Sequence, residues 1–393
     1  MSSSTNIQYA GSSGSSGTSG TSGSSGSSGT SGSSGSSGTS GSSGTSNAGF
    51  TMALNTASPN NTINVSSLTA SDGTTNQSVS LQPKGTGAFS LQIPDSTTTG
   101  GNVRGDYAVD LQMQRSAATQ VAQNPSSFVA GANNTASHYY AIAMGYNNIA
   151  SSDSSVAIGK NNSATGSASN VAIGDGNSAT NYYSVAIGRQ NTSNQNTSVA
   201  IGSSNTASGE YSVAMGYGNI ASGAASFATG YYCEATDYQT TAHGLFSKAR
   251  MRGQVSQASG QFAAISDAQT SVLTLRNITT NDTPTVIWVN GSNAGITIAS
   301  GTVYAFQVRV VGKRTDTGTD VFHNIIDGTI ANNAGTTAIQ GTNVTTAITS
   351  SAGTWAAVVE ANDTTDTMEV KVTGETGATI RWVARVTLVE VAS

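Results

Sequence analysis

Charge is scarce in this chain. Lys, Arg, Asp and Glu make up 9% of its 393 residues, where a globular protein carries roughly 25%. The net charge of -5 is mild and no run of Lys or Arg occurs, which argues against an electrostatic nucleic-acid partner. The single cysteine, Cys233, excludes an intrachain disulfide and a Cys-rich metal site. Apolar runs stay well short of the ~20 residues that span a bilayer. The opening stretch, MSSSTNIQYAGSS, has neither the basic region nor the apolar core of a secretory signal. Gly, Ser, Thr, Asn and Ala fill the gap, a composition suited to fibrous β-structure rather than to a cytosolic enzyme. The composition looks extracellular, yet nothing in the sequence would export it.

The chain divides by pattern. After residues 1–10 comes a strict triplet array over 11–46, with Gly at every third position from Gly11 to Gly44. Two readings stay open. A flexible Gly/Ser linker of this length averages ~30–36 Å. A collagen-like triple helix, in which only Gly fits at the axis, reaches ~110 Å. Residues 47–100 read as a small β module, with strand candidates at 62–68 (TINVSSL), 78–85 (SVSLQPKG) and 89–95 (FSLQIPD). Residues 101–126 form a transition segment with no firm assignment.

Residues 127–250 are a repeat. The pentapeptide SVAIG occurs at 155–159, 184–188 and 198–202, with near-copies at 141–145, 170–174 and 212–216. Its glycine recurs as Gly131, Gly145, Gly159, Gly174, Gly188, Gly202, Gly216, Gly230 and Gly244, spaced by 14 residues except for one interval of 15. Three residues on stands Asn, from Asn134 to Asn219, then Cys233 and Ser247; five residues on stands Ala or Ser. A short fixed period marks a solenoid whose copies are buried only against their neighbours. Fourteen residues suffice for two short strands and two turns, one coil of a parallel β-roll. The β-period of two separates Val and Ile from Ala. Val and Ile are expected to fill the interior, with Ala outside where another backbone approaches. Gly is expected at the corner and the following Asn in left-handed turn geometry. Eight intervals of ~4.8 Å give a rod ~38 Å long.

Residues 251–264 read as a connector, and 265–393 as a conventional all-β domain. Strand candidates there include 271–277, 285–291, 304–314, 321–330, 354–362, 367–374 and 379–392. Turn pairs such as Asn-Gly and Asp-Gly separate them, which predicts an antiparallel sandwich or jelly roll.

SVAIG and SVAMG cores at 14-residue spacing, each followed by an Asn-x-Ala-Ser-like run, as in SVAIGSSNTAS (198–208) and SVAMGYGNIAS (212–222), resemble the head repeats of YadA-type trimeric autotransporter adhesins over 127–249. That resemblance implies a left-handed β-roll and a side-by-side homotrimer. The flanking segments GNVRGDYAVDLQMQRSAATQVA (101–122) and GATIRWVARVTLVEV (377–391) look like tail fibre proteins of bacteriophages, particularly those of cyanobacteria. This second likeness implies a virion appendage assembled in the host cytoplasm, which needs no export signal. Residues 1–10, with Ile7, Tyr9 and Ala10, would attach it to a tail or baseplate protein. Residues 265–393 would form the tip that binds a host surface glycan or protein. The alternatives are a polysaccharide-degrading tailspike with an Asp/Glu pair and a bacterial surface adhesin.

No catalytic, metal or cofactor constellation stands out, and no receptor-binding residue can be named. His138, His243 and His323 lie far apart in sequence, and His243 simply occupies the Ile position of its repeat. Arg104-Gly105-Asp106 spells an integrin-binding tripeptide that reads as coincidence. Cys233 reads as a small packed side chain. The Tyr pairs at 139–140, 182–183 and 231–232 read as cover for the flank of the roll. Trp288, Trp355 and Trp382 read as core.

Overall fold

A computed structural model describes residues 50–55, 65–70, 80–351 and 353–393. The proposed attachment peptide and the triplet array lie outside the described residues. The described residues contain no helix. The chain divides into two units, Met1–Gln82 and Pro83–Ser393. In the first, Phe50–Asn55 pairs antiparallel with Val65–Ala70. Of the other strand candidates in 47–100, residues 80–85 carry no strand, and only Phe89–Ser90 of 89–95 does. That short strand belongs to the second unit, where it pairs in parallel with Val109–Gln114.

The second unit begins with the β-roll. Each coil contributes one five-residue strand, such as Val185–Arg189, and one two-residue strand, such as Thr192–Ser193. Equivalent residues stack in register: Val185 on Val199, Ala186 on Ala200, Ile187 on Ile201 and Gly188 on Gly202. The wide sheet reaches beyond the region of clear repeats. Val109–Gln114, in the transition segment, pairs in parallel with Phe128–Ala132. Val255–Ser259, in the connector, pairs in parallel with Thr241–Leu245. The 15-residue interval adds its extra residue between Ala164 and Asn170, and the register resumes at Val171↔Val156.

The inside and outside of the roll are the reverse of the expectation. Ala186, Ala200 and Ala214 are fully buried, whereas the neighbouring Val and Ile are only half-buried and Met144 and Met215 are exposed. The reason is dimensional. A coil of 14 residues closes around a narrow space filled mainly by methyl groups and carboxamides, with Val129 as the one larger inward residue among these strands, so most of the larger residues go outside.

The second correction concerns Asn. The residue in left-handed geometry is the one before it, for example Asn147 (φ 54°), Gln190 (φ 54°) or Ser204 (φ 58°). The repeat Asn is itself buried and forms a ladder. Asn191 Nδ2 lies 3.0 Å from Asn177 Oδ1, 2.9 Å from the Ile187 carbonyl and 2.8 Å from the Gly202 carbonyl of the next coil. Its own Oδ1 accepts the backbone N–H and side-chain amide of Asn205, both at 3.0 Å. Each coil is thus hydrogen-bonded to the next through side chains as well as backbone, as buried polar groups require. Glycine takes the corner as expected. Gly202 has φ 118°, and a Cβ there would meet the Gly216 carbonyl oxygen at 2.1 Å.

The wide sheet then runs into the C-terminal domain, because Val255–Ser259 pairs antiparallel with Ala268–Thr279. From there the order is Ala268–Thr279, Ile380–Ala392, Thr302–Arg314 and Val321–Asn333, all antiparallel. A second sheet packs against it. Thr367–Thr373 pairs with Ala356–Asn362 on one side and with Thr285–Ile287 and Ile296–Thr297 on the other. Between the sheets lies one core that includes Phe306, Val308, Ile326, Val370 and Trp382. Trp382 donates its indole N–H to Thr279 Oγ1 at 2.9 Å and meets Phe322 and Trp355 edge-on.

Candidate functional surfaces

The repeat glycines Gly131, Gly145, Gly159, Gly174, Gly188, Gly202, Gly216, Gly230 and Gly244 stand in one column at the end of the wide sheet, all with positive φ. Their role is close stacking of successive coils. No side chain that could act on a ligand belongs to that column.

The outward row of the wide sheet is different. From Ile142 to Met215 its two central positions in each coil hold only Val, Ile and Met, and none of them is fully covered. Towards the C-terminal end the row turns polar: Phe227 and Thr229, then Thr241 and His243, then Val255 and Gln257. His243 therefore faces outward, beside Thr229 and Gln257, rather than into the roll.

Aromatic rings collect at one turn of the roll. Tyr217 stacks on Tyr231 with centroids 5.1 Å apart, and Tyr232 stacks on Phe246 at 5.9 Å. Tyr231 meets Tyr232 edge-on at 4.7 Å. The three tyrosines stay about two-fifths exposed, at 41%, 43% and 38%. At the other turn, Tyr140 and Tyr183 hold left-handed positions and point to solvent.

The Arg-Gly-Asp tripeptide is not displayed as one. Arg104 is buried, with Nε 2.8 Å from Asp110 Oδ2, and Arg115 Nη2 lies 2.9 Å from the same oxygen. Burial pulls the Arg104 guanidinium below its usual value, and Asp110 opposes that pull. This cluster closes the N-terminal end of the roll. There Gln112 takes the place of a ladder Asn, its Oε1 accepting the Asn134 N–H at 3.0 Å. At the other end Cys233 replaces Asn. Its N–H still donates to Asn219 Oδ1 at 2.8 Å, and burial pushes its thiol up.

Among the described residues, no group of three or more His, Cys, Asp and Glu side chains is placed to hold a metal ion. His138 is exposed on a turn of the roll, and His323 sits on the outward face of the sandwich. Trp355 and Trp382 are core, while Trp288 is half-buried.

The model of the YadA head domain repeat matches at residues 122–148, 171–191, 179–205, 193–219 and 207–232. The matches fall on the roll and skip 149–170, the stretch that contains most of the 15-residue interval. The roll is therefore similar to that repeat in its pattern as well as its coil length. No curated protein matches the chain.

Proposed function

We propose that the chain is a structural fibre of a bacteriophage particle. Three copies associate in parallel along the roll, the first residues attach to a tail or baseplate component, and the C-terminal sandwich meets a glycan on the host surface. Its role is binding without catalysis.

The outward row of Val, Ile and Met carries this reading. Six successive coils expose it, and a continuous strip of that length exceeds the scattered apolar contacts a lone chain leaves to water. Identical chains in a closed ring cover it with equivalent surfaces. The YadA head repeat match over the roll supports the same arrangement. A domain with its own core and exposed loops at the end of a rod is suited to recognition.

Sedimentation of the full chain at micromolar concentration should give the mass of three chains; a stable monomer overturns the trimer. Particles carrying a fibre truncated before residue 265 should assemble but adsorb poorly. Normal adsorption would remove the host-binding role from the sandwich. Incubation with host polysaccharide should release no reducing sugar, and release would make the protein a depolymerase.

A further inference from the structure

The chain has 15 Lys and Arg residues, scattered in sequence. Folding gathers five of them on the outward face of one sandwich sheet. Arg385 lies directly across from Arg309, and Arg381 across from Lys313. Arg276 lies across from Val383, which in turn faces Val311. All five cations are exposed. Opposed residues in such a sheet are ~5 Å apart, and alternate residues on a strand ~6.8 Å apart. Arg309, Lys313, Arg381 and Arg385 thus mark the corners of a small rectangle with Val311 and Val383 at its centre.

Like charges directly opposed on a sheet are destabilising. Yet among the described residues none of the five is in an ion pair; the ion pairs of those residues lie elsewhere. Beside the rectangle are two concavities of about 400 and 310 Å³. The lining of the larger includes Arg276, Asn290 and Arg381 together with Ile278, Trp382 and Val383, and that of the smaller includes Gln239, Arg252, Arg276 and Asn290 with Val289. They share Arg276 and Asn290, so both concavities present guanidinium and amide groups beside the rectangle.

A second copy of the chain does not suit this face. The outward apolar row loses its Ile and Met positions over the last three coils, just before the sandwich begins. Bringing three such cationic faces to a common axis would set like charges against one another. The exposed apolar residues of this sheet, Val303, Val389 and Val391, stand at its roll end. The cationic rectangle lies towards the other end of the same strands, where like-charge repulsion disfavours a threefold contact and favours a face open to solvent.

We propose that this face binds an anionic polysaccharide, one that carries carboxylate or sulfate groups. Arg309, Arg385, Arg381 and Lys313 pair with the acidic groups, as guanidinium forks do with carboxylates and oxyanions. Val311 and Val383 receive the apolar face of a sugar ring, and the concavities beside Arg276 hold neighbouring sugars. The proposal rests on the reading of the sandwich as the host-facing tip, and it names the ligand class and the residues.

The full-length protein should be retained on immobilised dextran sulfate or polygalacturonate and not on neutral dextran. Retention on only one of the acidic matrices identifies the anion. Binding should weaken as salt screens the charges. The double variant Arg309→Gln/Arg385→Gln should bind about tenfold or more weakly, with unchanged melting and sedimentation. The roll variant Lys160→Gln/Arg189→Gln should bind normally. Equal binding to neutral dextran, or binding that survives the sandwich double variant, overturns the site. Tighter retention on immobilised duplex DNA overturns the ligand class. If adsorption to cells needs the sandwich but not Arg309 and Arg385, the site is wrong and the tip reading stands. If the polysaccharide binds through these residues while truncated fibres still adsorb, the site stands and the tip reading fails.

Discussion

The roll and the sandwich follow the same alternation of side chains and put opposite residues inside. Along Thr302–Arg314 the buried positions include the large side chains Tyr304, Phe306, Val308 and Val310. Along Val199–Ser203 the buried position is Ala200, while Val199 and Ile201 face outward. The gap between the layers explains the difference. Sandwich sheets pack ~10 Å apart and need large side chains to fill the space, whereas a 14-residue coil closes mainly on methyls, hydroxyls and carboxamides, with Val129 a larger inward residue near its N-terminal end. The sandwich thus completes its core within one chain. The roll leaves its larger apolar residues only half-covered, and holds itself together through stacked backbone and the Asn ladder.

The largest expected effect breaks the roll from within. Ala200→Glu puts an unpaired charge into a fully enclosed space, at a cost of several kcal/mol. Calorimetry should show the roll lost and the sandwich transition retained. An unchanged melt would return Ala to the outside. Trp382→Ala is the counterpart for the sandwich, at ~3–5 kcal/mol, and should leave the roll's transition in place.

Next comes the ladder. Asn191→Ala strips partners from Asn177, Asn205 and two carbonyls, and each buried polar group left unsatisfied costs about 1–3 kcal/mol. Asn219 is a control built into the chain, because its Oδ1 serves only the backbone N–H of Cys233. Asn219→Ala should therefore lower the melting temperature less than Asn191→Ala. Equal shifts would mean that the side-chain rungs add little to the backbone ones.

The repeat, its period and the all-β class were legible because nine glycines stand in register. Which face went inside was not. A period of two separates Val and Ile from Ala but does not say which set is enclosed, and the habit that larger apolar residues lie inside gave the wrong answer. Residues 109–114 and 255–259 escaped notice as strands of the wide sheet for a related reason. At the ends of the sheet the pattern decays: Gln112 stands opposite Gly131 and Ala258 opposite Gly244, so neither end strand carries the repeat glycine. The cationic face was invisible because its residues come from three strands more than 100 positions apart at the extremes. The buried clusters around Asp110 and Glu390 were missed likewise, since their partners approach only on folding.

A smaller effect on the single chain is expected from Ile187→Asp. The side chain is outward and half-buried, so the coil should stay folded, with little change in the circular dichroism of a dilute sample. Association should suffer if the proposed trimer forms through this apolar row, because the charge would sit within it. Sedimentation should therefore show smaller species. A trimer that tolerates Ile187→Asp moves the contact to another face of the roll.

The smallest effect tests the seam between the two regions, where neither kind of core is used. Glu390 is buried there, with Arg250 Nη2 2.9 Å and Gln269 Nε2 3.0 Å from its Oε2, and the Ser271 hydroxyl donating to Oε1. Arg250 Nη2 also donates to the Tyr304 hydroxyl at 2.7 Å. Burial pushes the Glu390 carboxyl above its usual range, against the opposing pull of Ser271, Arg250 and Gln269. The folded protein then keeps this proton at a pH where the unfolded chain has lost it. Stability from this group is present below the ordinary Glu value and is lost as pH rises through the raised one. Asp95, Asp267 and Asp316 act in the opposite sense and in a lower window. Their carboxyls are held below the usual range, so their contribution fades only as pH falls below the ordinary Asp value. Melting temperatures from pH 4 to 7 should therefore separate the two. The difference between the natural protein and Glu390→Gln should shift against the natural protein as pH climbs through the upper part of that range. A difference that is flat across the range would show that Arg250 keeps Glu390 ionised throughout, and that the seam is held as an ordinary ion pair.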